Sequence, residues 1–272
     1  DLNRQEYAPG MLLTARIRAP HDGKALVCLE RERVYAWKLV DLVQGEGTAT
    51  FALEAGHLPN VYCTATLIRP VRPRSEWVPD RLYGAALARL GTADRKLDLR
   101  IETSEETRPD REVDVTIRAT RGGLPAPGAR IVLAAVDEGI CQVTRFATPD
   151  PHAFFYGKES LGVISTDLYG TILPEEPSGD GFHSPVPSTV PVRARRFDPV
   201  SIWKDGLRTD AAGEAHLRLP VPHYLGELRL MAMASDHEAF GSAARPLRVT
   251  QPAILEVSAP RFCAWGEEFM LT

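Results

Sequence analysis

The chain has 272 residues, of which 44% are hydrophobic and 25% charged, and its net charge is −4. This length can bury one large core or two of ordinary size, and the composition excludes disorder throughout. A pI near 6.0 offers no basic surface for nucleic acid or anionic lipid, so no nucleic-acid partner is expected. No apolar run approaches the roughly 18 residues of a membrane-spanning helix, so we expect this chain itself not to span a membrane.

Short runs of alternating apolar residues follow one another along the chain, separated by Gly, Pro and Asp turns. The clearest are MLLTARIRA, KALVCLERE, ATFALEA and VYCTATLIRP in the first third, and EVDVTIRA, ARIVLAAVD, EAHLRLPVP and ELRLMAMAS later. They predict an all-β protein made of tandem antiparallel β-sandwiches. The chain lacks the basic and apolar regions of a signal peptide at its start and ends within an apparent strand. We therefore expect an internal piece of a longer protein.

The two sets of strands resemble each other in order. ALV at 25–27 matches RIV at 130–132, whereas VYAW at 34–37 matches VSIW at 200–203. The second copy therefore contains about sixty added residues, which we place at 138–199 as an insertion within the second sandwich. Trp37 and Trp203 occupy matching positions of the two copies, and we expect both in the cores.

The insertion has two parts of different composition. Residues 136–170 are aromatic and are expected to pack on the domain, with a short helix near 151–160. From 172 to 196 the apolar density collapses and prolines accumulate. Such a stretch cannot bury enough apolar area to offset its ordering entropy, so we expect exposed, extended chain that proteases cut readily.

Three segments carry a resemblance to a known family: AVDEGICQVTRFATPDPHAFFYGKESLGV with TDLYG at 135–170, VRARRFDPVSIWKDGLRTDAAGEAHLRLPVPHYLGELRLMAMAS at 192–235, and ILEVSAPRFCAWGEEFMLT at the end. The chain resembles a piece of a bacterial α2-macroglobulin, a broad-spectrum protease trap. The resemblance implies macroglobulin-like (fibronectin-III-like) sandwiches at 1–94 and 95–250, the first strands of a third at 251–272, and a bait segment at about 172–198. It also implies that a target endopeptidase cleaves the bait and is trapped when the molecule rearranges.

A bait needs extended backbone with varied side chains rather than one exact constellation. Bonds next to proline are poor substrates, which disfavours 184–191. The alternative is that VRARRF at 192–197 is a solvated charge run at a strand edge. The cleavage candidates are arginines for trypsin-like enzymes and phenylalanines for chymotrypsin-like ones: Arg193, Arg195, Arg196, Phe182 and Phe197.

No other residues suggest chemistry, so we expect a non-enzymatic protein with no catalytic residues, metal or cofactor. The seven histidines lack metal-ligand spacing. The four cysteines form no CxxC pair and are expected to be buried free thiols, although Cys28 and Cys63 could pair across strands. A family thioester needs Cys-x-Glu-Gln; CLER at 28–31 lacks the glutamine, so we expect the chain to end before any thioester domain.

The partners that the resemblance implies are target endopeptidases and the remaining domains of the parent protein. It also implies a periplasmic parent that is lipid-anchored to a bacterial membrane. Two rival functions stay open: an array of structural or adhesive surface sandwiches, and an accessory module that binds carbohydrate.

Overall fold

A computed structural model describes residues 1–68, 81–164, 200–253 and 265. The described chain is dominated by strands and contains two short α-helices, α1 Glu138–Thr144 and α2 Pro151–Tyr156. The strands are β1 Glu6–Tyr7, β2 Leu12–Arg18, β3 Gly23–Glu30, β4 Val34–Leu42, β5 Glu46–Ala52, β6 Asn60–Ile68, β7 Arg81–Leu90, β8 Asp98–Glu102, β9 Glu106–Thr107, β10 Arg111–Arg121, β11 Leu124–Pro125, β12 Arg130–Asp137, β13 Ser201–Arg208, β14 Glu214–Val221, β15 Gly226–Asp236 and β16 Ala239–Val249.

The chain divides into two compact units. The first contains residues 1–68, 81–94 and 153–164, and the second contains residues 95–152, 200–253 and 265. In the first unit, a five-stranded sheet in the order β1-β7-β6-β3-β4 accompanies a two-stranded sheet, β2-β5. Alternate residues of both sheets form one core, because successive strand residues point to opposite faces. Its largest fully buried side chains are Leu13, Leu29 and Leu53.

The second unit repeats this plan. Its five-stranded sheet runs β13-β12-β15-β16-β9, and its other sheet runs β11-β10-β14 with β8 also paired to β10. The alternation in β10 is regular: Val113, Val115, Ile117 and Ala119 are all buried. They pack with β12, β14 and β15 residues into a second core.

The internal repeat is confirmed by strand order. In each unit the five-stranded sheet has a two-residue edge strand that pairs in parallel with its neighbour, as β1 does with β7 and β9 with β16. The remaining order is the same when β7, β6, β3 and β4 are matched to β16, β15, β12 and β13. The predicted all-β fold of tandem antiparallel sandwiches is confirmed. The short β3–β4 turn of the first unit corresponds to the whole chain between β12 and β13 in the second.

The prediction that Trp37 and Trp203 lie in the cores is wrong. Their side chains are 62% and 57% exposed. Both occupy matching strands, as expected, but the residue before each one takes the inward position. Ala36 packs against the first core and Ile202 against the second, so each tryptophan points to the outer face.

Candidate functional site, the flanks of the predicted bait segment

The predicted cleavage residues Arg193, Arg195, Arg196, Phe182 and Phe197 lie outside the described residues, as do the strands predicted after residue 253, apart from Trp265. The described site therefore consists of the chain that leads into and out of the predicted bait. It has three parts: the end of β12 with α1, residues 157–164, and the turn between β13 and β14.

The VDEGI motif forms the first flank, where β12 turns into α1. Asp137 caps the helix, because its Oδ1 accepts a hydrogen bond from the Gly139 amide at 2.8 Å. Glu138 makes a two-pronged pair with Arg229 of β15, and Arg229 Nη1 also donates to the Phe146 carbonyl at 2.7 Å. One arginine thus binds both the start of α1 and the chain after its end.

The Glu138–Arg229 pair also has an electrostatic signature. Hydrogen bonds from Arg229 lower the pKa of the Glu138 carboxyl. The same pair raises the pKa of Arg229. Both side chains are only about one-fifth exposed, so water screens the attraction less than at an open surface. The VDEGI motif therefore attaches α1 to β15.

The TDAAG turn forms the returning flank after β13. The buried Thr209 hydroxyl donates to the Ala126 carbonyl at 2.6 Å and accepts from the Ala129 amide at 2.8 Å. Asp210 Oδ1 accepts from the amides of Ala212 and Glu214, both at 2.9 Å, which closes the turn. These bonds attach the beginning of β14 to the neighbouring loop.

Residues 157–164 form the third part, on the first unit. Asn60 exchanges two hydrogen bonds with the backbone of Glu159, from Nδ2 to its carbonyl at 3.0 Å and from its amide to Oδ1 at 2.8 Å. The Tyr62 hydroxyl donates to the same carbonyl at 3.0 Å. The Arg31 carbonyl accepts from the amides of Gly162 and Val163 at 2.8 and 3.1 Å. We call residues 159–163 the docked segment.

Arg31 lies in the β3–β4 turn and is only 7% exposed. Its Nη1 donates to the carbonyls of Leu58 and Asn60 at 2.5 and 3.1 Å. Its Nε lies 2.7 Å from Glu32 Oε2 and 2.9 Å from Glu159 Oε2. The hydroxyl of Tyr35 and then Arg31 lower the pKa of Glu32 to about 2.

Neither metal nor thiol chemistry is indicated in the described part of the chain. No group of three or more His, Cys, Asp or Glu side chains there could hold a metal ion. Cys28, Cys63 and Cys141 are free. Cys28 pairs with Thr64 whereas Cys63 pairs with Leu29, so the two thiols point to opposite faces of the sheet. Burial raises the pKa of Cys63 to about 11, which keeps it a neutral thiol.

VDEGI and TDAAG lie within the segments that carry the family resemblance, whereas the sequence gives no indication of what the docked segment binds. Asn60 and Tyr62 lie 99 and 97 residues from Glu159, and Arg31 lies further still. RER at 31–33 looks like an ordinary charged turn. Near the docked segment, the sequence shows only the polar residues KES at 158–160 beside aromatic ones, and this pattern does not identify a binding partner.

Two sandwiches of one strand order, the second with a long connection between neighbouring strands, define a tandem β-sandwich protein. Residues 1–143 match the alpha-2-macroglobulin bait region domain, and residues 200–272 match the alpha-2-macroglobulin family. The chain belongs to the alpha-2-macroglobulin family, and its relatives are bacterial.

Individual relatives agree over the whole chain. It is 29% identical to alpha-2-macroglobulin of Escherichia coli strain K12 over 100% of this chain and 17% of the relative. A crystal structure of a Salmonella alpha-2-macroglobulin mutant matches with a TM-score of 0.71 and 25% identity, over 97% of this chain and 17% of that one. Trypsin-activated alpha-2-macroglobulin from Escherichia coli matches with a TM-score of 0.70 and 27% identity, over 96% and 18%. The chain therefore spans about one-sixth of these relatives.

Among the described residues, no helix combines the length and the apolar character needed to cross a membrane.

Proposed function

We propose that this chain is the bait-bearing part of a broad-spectrum endopeptidase inhibitor. The segment at about 172–198 is the bait, and its cleavage by a target endopeptidase triggers a rearrangement that entraps the enzyme. The sandwich at about 95–250 carries the insertion. Membership of a family of protease inhibitors supports this, as does the relative described as trypsin-activated.

The observation that carries the proposal is that the chain is fastened on both sides of the predicted bait. Upstream, the docked segment is bound to Asn60, Tyr62 and Arg31. Downstream, β13 pairs with β12 from Ser201 onwards. The proline-rich sequence between them has little apolar area to bury. A trigger that works by proteolysis requires flanks that are held in place and a segment between them that a protease can cleave.

The role needs no catalysis by the chain itself. We propose that its partners are target endopeptidases and the remaining domains of the parent, and that the parent is periplasmic and lipid-anchored. The bacterial relatives support this location. The chain alone is not expected to inhibit a protease, because trapping requires surface from those other domains.

The test is limited digestion of the 272-residue chain with trypsin, chymotrypsin and elastase, with every cut located by intact mass. All three proteases should make their first cuts within about 172–198. A spacer or adhesive array should instead resist all three or be cut mainly near its termini. First cuts outside the segment by two of the three enzymes would refute the bait.

Matched variants assign the individual bonds. Replacing Arg193, Arg195 and Arg196 together by Gln should move the first trypsin cut and leave the first chymotrypsin cut unchanged. Replacing Phe182 and Phe197 together by Ala should do the reverse. If VRARRF is instead a charge run at a strand edge, its backbone is held by the sheet and the arginine variant should leave the first trypsin cut unchanged.

The carbohydrate-binding alternative has its own test. Because Trp37 and Trp203 are exposed, an oligosaccharide stacking on either one should change the tryptophan fluorescence. The inhibitor proposal predicts no saturable change.

A further inference from the structure

The docked segment is held by a built surface rather than by incidental contacts. Asn60 is only 1% exposed, and its side-chain amide both donates to and accepts from the backbone of Glu159. This arrangement imitates a β-ladder pair, with a side chain in place of a neighbouring strand. Releasing the docked segment breaks both of these hydrogen bonds at once.

Arg31 holds the same segment at two further points. Its carbonyl binds the amides of Gly162 and Val163, and its guanidinium lies 2.9 Å from the Glu159 carboxylate. The guanidinium is itself fixed, because three backbone carbonyls of residues 57–60 accept from it. The position of Glu159 is therefore set by groups that belong to the folded first unit.

A protease must bind several consecutive residues in extended form to cut between them. A segment whose backbone groups are already bound must first detach, so its cleavage rate follows the small population of detached chain. The Lys158–Glu159 bond is informative here, because Lys158 is an exposed trypsin site and Glu159 is the most tightly held residue of the docked segment.

We propose that Asn60, Arg31 and Tyr62 form a clamp that fixes Glu159–Val163 to the first unit and sets the upstream limit of the protease-accessible chain. The role as a limit rests on the proposed bait function; the clamp itself does not. The three are positioning residues. After a cut in the bait, the clamp retains the upstream end on the first unit, so the new end is free only beyond Val163.

The experiment is trypsin digestion of the 272-residue chain and its variants, with the rate of cleavage at Lys158–Glu159 followed by mass spectrometry. The same chain in denaturant supplies the unprotected rate, which includes any slowing by the acidic Glu159. The native chain should be cut at this bond far more slowly than the denatured chain. Asn60→Ala should raise the native rate by about tenfold, because two hydrogen bonds to the docked segment are lost.

Thr64→Val is the matched control on the same strand. The buried Thr64 hydroxyl donates to Glu30 at 2.8 Å and not to the docked segment. Its loss should weaken β6 without raising the rate at Lys158. An equal rise in Thr64→Val would attribute the effect to general destabilisation and overturn the clamp.

Tyr62→Phe covers the case in which Asn60→Ala does not fold. It removes only the hydroxyl that binds the Glu159 carbonyl, and it should raise the rate by about threefold. Hydrogen exchange gives a readout without protease: the amides of Glu159, Gly162 and Val163 should exchange slowly in the native chain and faster in either variant. A native rate equal to the denatured one, or no change in either variant, would refute the clamp.

The two proposals fail in different ways. A chain protected at Lys158 but not cut within 172–198 keeps the clamp and refutes the bait. A chain whose first cuts fall within 172–198, but whose Lys158–Glu159 bond is cut as fast as in the denatured chain, keeps the bait and refutes the clamp.

Discussion

At the scale of single residues, the β3–β4 turn concentrates charge around one buried guanidinium. Arg31 faces Glu32 and Glu159, and its guanidinium carbon lies 5.9 Å from the centre of the Tyr35 ring. Tyr35 also makes an edge contact with His57. Breaking a buried charge cluster by removing its cation is costly, because carbonyls and carboxylates lose their donor together. Tests of this turn are therefore better aimed at its exposed partners.

Glu32 supplies a pH-dependent prediction. Its pKa is lowered from 4.5 to about 2 by hydrogen bonds from Tyr35 and Arg31. A lowered folded-state pKa adds stability above the unfolded pKa, and that stability is lost as the pH falls towards the folded value. The free energy of unfolding should therefore fall between about pH 5 and pH 2, and less steeply in Glu32→Gln.

Denaturant unfolding at a series of pH values measures this slope. Tyr35→Phe serves as the companion variant, because it keeps the ring contact with His57 and removes the hydroxyl that contributes most to the shift. It should reduce the slope by part of the amount seen in Glu32→Gln. Equal slopes in the native chain and both variants would contradict this account.

At the scale of elements, the turn from β13 to β14 depends on a glycine. Gly213 has φ +78°, and a Cβ there would lie 2.6 Å from the Ala119 carbonyl oxygen and 3.0 Å from the Ala126 amide nitrogen. Both are backbone atoms, so neither can move aside without disturbing the sheet. Gly213, the last residue of the TDAAG turn, is therefore required for steric reasons.

Gly213→Ala should destabilise the second unit strongly. The left-handed backbone costs about 1–2 kcal/mol for a residue with a Cβ, and the overlap adds about 1–3 kcal/mol. Gly128→Ala is the control: it has the same φ of +78°, but a Cβ there meets nothing within 4 Å. It should cost only the first contribution. Thermal and denaturant unfolding of both variants measure the difference, and equal losses would show that the overlap relaxes without cost.

The sequence predicted elements well where the signal was local. Strand alternation in β10 and β12 identified the sandwiches, and the offset between matching motifs placed the added residues between β12 and β13. The short helix expected near 151–160 is α2. The sequence did not predict the seven-residue α1. This helix is held by Arg229, which comes 91 residues after Glu138. The tryptophan positions were matched correctly but assigned to the wrong face, since period-two patterns with apolar residues on both faces do not say which face is inside.

The candidate site was predictable only in part, for the same reason. Its composition identified a cuttable stretch, but the docked segment depends on Asn60 and Arg31, which are distant in sequence. A buried Asn side chain paired with another segment's backbone has no sequence signature. The chemistry of such a site becomes visible only when the fold brings the two segments together.

At the scale of the whole molecule, the second unit is built from strands on both sides of the predicted bait. Upstream β12 pairs with downstream β13 and β15, and upstream β10 pairs with downstream β14. A cut within 172–198 breaks none of these pairings. It converts one chain into two fragments that share a single core, and it releases two new chain ends.

We therefore expect the nicked chain to stay together. After digestion and quenching, the fragments should elute as one species in native size-exclusion chromatography and separate in denaturant. Unfolding of the nicked chain also releases one fragment from the other, so its melting temperature should rise with protein concentration, whereas that of the intact chain should not. Fragments that separate under native conditions would show that the β12–β13 pairing needs an unbroken connection. In that case a cut would dismantle the sandwich, and a trap that works by rearranging folded domains could not be built on it.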